Sequence, residues 1–157
     1  MLRTLAIRCT TALWITALPA LAGAAGMADG IAVENAQVRL MPPAAPNSAA
    51  FLTIINTATR PVRVTGVSSE VAASVELHDH IRDGEILRMR RIDGIDIPPG
   101  DRVALAPGGK HVMLIGLRQP LKADSTIDFR LEFADGSSTA FSAPVTPIRA
   151  TAAPAQH

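Results

Sequence analysis

From residue 31 onward, no window of the chain carries a 3.6-residue apolar stripe longer than two turns, and breaker clusters recur at close spacing. Prolines and glycines at Met41–Ser48 (MPPAAPNS), IDIPPGD, Pro107-Gly108-Gly109 and Asp135-Gly136 remove amide donors or admit turn conformations. Only short strands fit between them. TIDFRLEF has the cleanest period of two, with Ile127, Phe129, Leu131 and Phe133 on one face. Further strand-like runs are the β-branched but imperfectly alternating Ile31–Leu40, which suggests an edge strand, then Ala50–Asn56, PVRVTGVSS, the run from Val75, RVALAP and HVMLIGL. IRDGEILRMR reads as a hairpin about Asp83-Gly84. Many short strands with closely spaced turns predict an all-β, single-domain fold, a Greek-key antiparallel β-sandwich.

The first 24 residues have a different character. MLRTLAIR carries Arg3 and Arg8 and no acid, an apolar run interrupted by Pro19 follows, and small residues close it around Ala20-Leu21-Ala22. That order is the order of a cleaved secretory signal peptide, with the cut expected between Ala22 and Ala25. The expected organisation is a leader at 1–24, a domain at 25–146 and a flexible Ala/Pro-rich tail at 147–157. Cys9 departs with the leader, and Arg8 before it and the apolar run behind it do not suit a lipid-attachment cysteine. The remaining domain has neither thiol nor disulfide and must stand on its core alone. Fifteen basic residues less Arg3 and Arg8 leave 13 against 14 acidic ones, a formal charge of −1. A near-neutral chain without a basic cluster argues against nucleic acid or an anionic membrane as partner.

Val75–Leu117 concentrates three of the four histidines and two of the five methionines. His111 and Met113 lie two apart in a strand-like run, so they share a face while Val112 and Leu114 take the other and Lys110 is excluded. Taken alone, the pair reads equally as a polar strand entrance beside a core methionine. His78 and His80 repeat the spacing, and Met89 lies in the charged run RMRR, where a packing role has little support. Imidazole and thioether form a soft, neutral donor set that suits copper(I). Structural zinc prefers thiolates, and a blue-copper centre needs the cysteine this domain lacks. No GxSxG, no HExxH and no nucleophile beside a base is present, so the expectation is a non-enzyme.

The order His78-x10-Met89-x21-His111-x-Met113 resembles the signature of the PCuAC-type periplasmic copper chaperones. The flanks VELHDH, RMRRI, IPPGD, LAPGGKHVMLIGL, PLKAD and FRLEFADG resemble that family too, so the likeness spans residues 31–145. The resemblance implies a cupredoxin-like β-sandwich that holds one Cu(I) through His78, Met89, His111 and Met113. It also implies a periplasmic location and copper delivery toward the CuA centre of cytochrome c oxidase, sometimes beside a thioredoxin-like copper chaperone. His80 falls outside the motif and ranks as a neighbouring or spare ligand. The tail offers only His157, where some members carry a second, histidine- and methionine-rich site. The Gly108-Gly109 pair is expected to turn the backbone so that His111 approaches His78, and Met41 with MPPAAP to border a docking face. A copper-buffering protein with the same site, and a metal-free assembly sandwich, are the competing readings.

Overall fold

The structure is a computed structural model that describes residues 26–147 apart from Glu85. The expected leader at 1–24, and the tail beyond 147 with His157, lie outside the described residues. Ten strands follow in order: β1 (Ile31–Arg39), β2 (Asn47–Asn56), β3 (Val62–Ser68), β4 (Ala72–Asp83), β5 (Ile86–Arg91), β6 (Ile95–Ile97), β7 (Arg102–Leu105), β8 (His111–Leu117), β9 (Thr126–Phe133) and β10 (Ser138–Thr146). Among the described residues there is no helix.

The ladder runs β5-β4-β8-β2-β1-β10-β9-β3-β6, with β7 also on β2. One stretch of β2, Asn47–Ala50, pairs with β8, and the next, Leu52–Ile55, pairs with β7. Every pairing is antiparallel except β1 with β10, which run parallel through Val38↔Val145 and Arg39↔Thr146. That junction joins one layer (β5, β4, β8, β2, β1, with β7) to the other (β10, β9, β3, β6). Leu52, Ile54, Ile97, Leu114 and Leu131 are fully buried between them. Each such side chain contributes about 1.5–3 kcal/mol by leaving water. The all-β sandwich expected from the breaker spacing is the observed architecture.

Two strands differ from their sequence reading. β1 is not a simple edge strand: its C-terminal end is flanked by both β2 and β10, and Val38 is completely buried. A register shift between Glu34 and Gln37, with Asn35 at φ 53°, inserts a bulge there, which is why its alternation looked imperfect. The IDIPPGD segment, read as a breaker, contains β6, whose Ile95 and Ile97 are buried against Val64 and Val62 of β3. Three residues are too few to reveal a period.

Asn56, wholly buried at the end of β2, fastens the loops beneath the sandwich. Its Nδ2 donates to the carbonyls of Arg60, Ile97 and Pro98 at 2.8, 3.0 and 3.1 Å, and its Oδ1 accepts from the Ala58 amide at 3.0 Å.

Candidate metal site

Because β4 and β8 are antiparallel neighbours, the residues two apart on each meet across the sheet. His78 lies opposite His111, and Glu76 opposite Met113. The next partner out is β5, where Met89 faces His80 and Arg91 faces His78. Between these pairs, Leu77 and Val112 face each other and point into the core, at 4% and 0% exposure. The histidines and methionines therefore occupy the outer face of the sheet, directly behind the core.

Three imidazoles gather there. The ring centroids of His78 and His111 are 5.9 Å apart, and those of His80 and His111 are 5.1 Å apart. His111 is itself buried, with Phe51 of β2 at 6.4 Å on its other side and the Arg39 guanidinium lying over Phe51. His111, Met113, His80 and Met89 line an open cleft of about 300 Å³ together with Met41, Phe51, Arg39 and Gly108. His78 borders His111 but is not part of that cleft's lining. Met89 is 46% exposed, in keeping with its RMRR context.

The hydrogen bonds assign a role to each ring nitrogen. A carbonyl only accepts, so the nitrogen facing it must carry the proton. The Gly109 carbonyl accepts from His111 Nδ1 at 2.9 Å and from His80 Nδ1 at 3.2 Å, which leaves each Nε2 with a free lone pair. His78 is oriented the other way. Its Nε2 donates to Glu76 Oε2 at 2.8 Å, and its Nδ1 is buried with no partner. A buried nitrogen without a partner is costly unless something else binds its lone pair. A carboxylate on one imidazole nitrogen and a free lone pair on the other form the arrangement that tunes a metal-bound histidine.

Two charges respond to this setting. Glu76 is held below its ordinary value of 4.5, chiefly by the His78 hydrogen bond, so it is ionised at neutral pH. Burial pushes His111 below the ordinary imidazole value of 6.5, against the Gly109 hydrogen bond, and His80 and His78 push it further the same way. A neutral His111 is the form that ligates.

Several sequence expectations meet their geometry here. Lys110 points away, to Asp79 at 3.2 Å, as its strand position required. The glycine pair does turn the chain, with Gly108 at φ +84°, but strand pairing is what sets His111 against His78. The contribution of Gly109 is its carbonyl. His80, set outside the motif, shares the cleft with Met89, Met113 and His111, and Met41 reaches the rim. Glu76 carries no motif that marks it in the sequence; the signal available is its position two residues before His78 on one strand face. Among the described residues no group of three or more His, Cys, Asp or Glu is placed to hold a metal ion. The thioethers on the same face add soft donors, which suit zinc and the hard divalent ions poorly.

Known proteins resemble the chain throughout the domain. The LpqE-like family model, named for a lipoprotein, matches residues 31–145. The Leifsonia xyli subsp. xyli protein Lxx21020, also named as a lipoprotein, is 38% identical over 130 residues, 82% of this chain and 77% of that one. The copper-bound PCuAC domain from PmoF2 superposes with a TM-score of 0.63 at 28% identity, covering 74% of this chain and 92% of that domain. The Cu(I) form of DR1885 from Deinococcus radiodurans gives 0.62 at 29% identity, covering 82% and 83%.

Proposed function

The chain belongs to the LpqE-like family, the family of PCuAC-type domains, and from that premise we propose that it is an exported copper(I) carrier rather than an enzyme. Its cargo is one Cu(I), held by His78, Met89, His111 and Met113. The observation that carries this reading is the buried, unpartnered Nδ1 of His78, next to His111 and on the same outer face as two thioethers. The copper-bound PmoF2 domain and the Cu(I) form of DR1885 support it, since both share this fold at 28% and 29% identity over the matched parts.

Neutral donors leave the charge of the ion uncompensated, so the site should favour soft monovalent ions and still release them. Thioethers need no deprotonation, whereas both imidazoles must be neutral. Export fits the signal-like first 24 residues and the lipoprotein names of its relatives, and no helix among the described residues is long and apolar enough to cross a membrane. In this reading the carrier works in the periplasm and passes copper toward the CuA centre of cytochrome c oxidase, directly or through a thioredoxin-like protein.

Titration with Cu(I) against a chromophoric chelator should give one tight equivalent. Undiminished binding in the Met89→Ala, Met113→Ala double variant would refute the ligand set. Deletion should lower oxidase activity under limiting copper and be rescued by added copper; copper sensitivity with normal oxidase would favour buffering instead.

A further inference from the structure

Among the described residues, the large apolar side chains that stand exposed all lie on one hairpin, β4–β5: Ile81 at 48%, Ile86 at 57%, Leu87 at 55% and Met89 at 46%. Scattered exposed apolar residues need no explanation, but four on a single ribbon do. Register divides them between both faces. Leu87 and Met89 share the face of His80, while Ile81 and Ile86 take the other. β5 ends the ladder, all six of its residues are exposed, and its outer edge pairs with nothing among the described residues.

Between Ala72 and Arg91 four acidic residues balance four basic ones in number, but they are not all paired in space. Arg88 is paired with Asp83 at 3.2 Å, and Arg91 reaches Glu76 at 3.6 Å. Arg82 and Arg90, both exposed, make no ion pair among the described residues. Arginine beside exposed aliphatics suits a surface with apolar centre and carboxylate rim.

Access to the metal site points the same way. His111 is 4% exposed and Met89 46%. A donor atom from another protein can reach an ion held between them over β5, where the exposed thioether is displaced first. Resting on the copper(I) reading above, we propose that the β4–β5 hairpin is the docking surface for the copper-accepting protein. That partner closes around the free edge of β5, covering Leu87 on the site's face and Ile81 and Ile86 on the other with apolar side chains, and meets Arg82 and Arg90 with carboxylates. The contact is of the small, transient kind, below about 1,200 Å².

The test uses the Cu(I)-loaded protein and, as probe, the purified soluble CuA-bearing domain of cytochrome oxidase. Two variants avoid every proposed ligand: Ile86→Ser with Leu87→Ser, and Arg82→Glu with Arg90→Glu. Each should slow copper transfer to the domain by about tenfold or more, the charge reversal most at low salt. Cu(I) affinity and the rate of surrender to a small chelator should stay as in the unaltered protein. Transfer at the unaltered rate in both variants overturns the proposal. So does the absence of any transfer from the unaltered protein, or self-association or binding to anionic phospholipid vesicles that both variants abolish. Failure of the unaltered protein to bind Cu(I) tightly removes the carrier reading itself, and is told apart by the affinity measurement.

Discussion

Glu76→Gln removes one charge while keeping the shape of the side chain, and it isolates what the carboxylate does for His78. The 2.8 Å contact from His78 Nε2 ties that ring down by one nitrogen, and Nδ1 is left buried and unpartnered. An ionised acceptor fixes this tautomer and makes the opposite nitrogen a better donor to a metal. Glutamine retains an acceptor oxygen but no charge, and its amide can also turn a donor toward Nε2, which favours the other tautomer. Loss of such a supporting partner weakens metal binding by about 10- to 100-fold, or roughly 1.4–2.7 kcal/mol. Fold stability should change far less, by about 0–1 kcal/mol, because Glu76 is 21% exposed at its side chain and the pair lies near the surface. The two effects separate in two assays: anaerobic Cu(I) competition with bicinchoninate at neutral pH, and a thermal melt of the metal-free protein. Long-range 15N–1H NMR of His78 should report an unprotonated Nδ1 in the unaltered protein and a tautomer mixture in the variant. An affinity within about twofold of the unaltered protein, while His78→Ala is crippled, would refute the role given to Glu76. A protonated Nδ1 in the unaltered protein would refute the geometry behind it.

Protonation of His111 should destabilise the fold, because burial pushes its value below 6.5. Its contribution is complete above about 6.5 and is lost as pH falls through the lowered folded-state value. Melting temperature between pH 8 and 5 should therefore drop more steeply in the unaltered protein than in His111→Gln, and parallel curves would contradict this. Truncating Asn56 to Ala strips three carbonyls and one amide of a partner, with an expected cost of about 3 kcal/mol and roughly 10 °C in melting temperature. A calorimetric loss below about 1 kcal/mol would mean that water or a shifted loop replaces those bonds. His80→Ala tests whether the cleft's third imidazole belongs to the ligand set: as a neighbour of the four donors it should lower Cu(I) affinity by less than about tenfold, and a larger loss would place it among them.

The same-face pairs His78/His80 and His111/Met113 were legible in one dimension because the sheet turns spacing into geometry, whereas the proposed set of four donors rests on the family resemblance. Residues two apart on a strand share a face, so His111 with Met113, and Val112 with Leu114 against them, could be assigned to opposite sides from spacing alone. Phe129, Leu131 and Phe133 were equally plain, because eight residues of β9 show four periods. The fold class followed from where the chain cannot continue a strand. Three things required the third dimension. Strand order was one: His78 meets His111 because β4 pairs with β8, a choice made by the total burial of both layers and not by either strand. The parallel closure of β1 on β10 was another, since the bulge at Glu34–Gln37 hides the period that would have marked a two-sided strand. The last was the set of polar contacts that orient the rings. Gly109 and Glu76 act through a carbonyl and a carboxylate whose partners depend on backbone direction at ångström scale, and residue identity holds no record of that. The sequence alone determined which atoms could bind a soft ion and on which face; tertiary packing decided which nitrogens are left open to it.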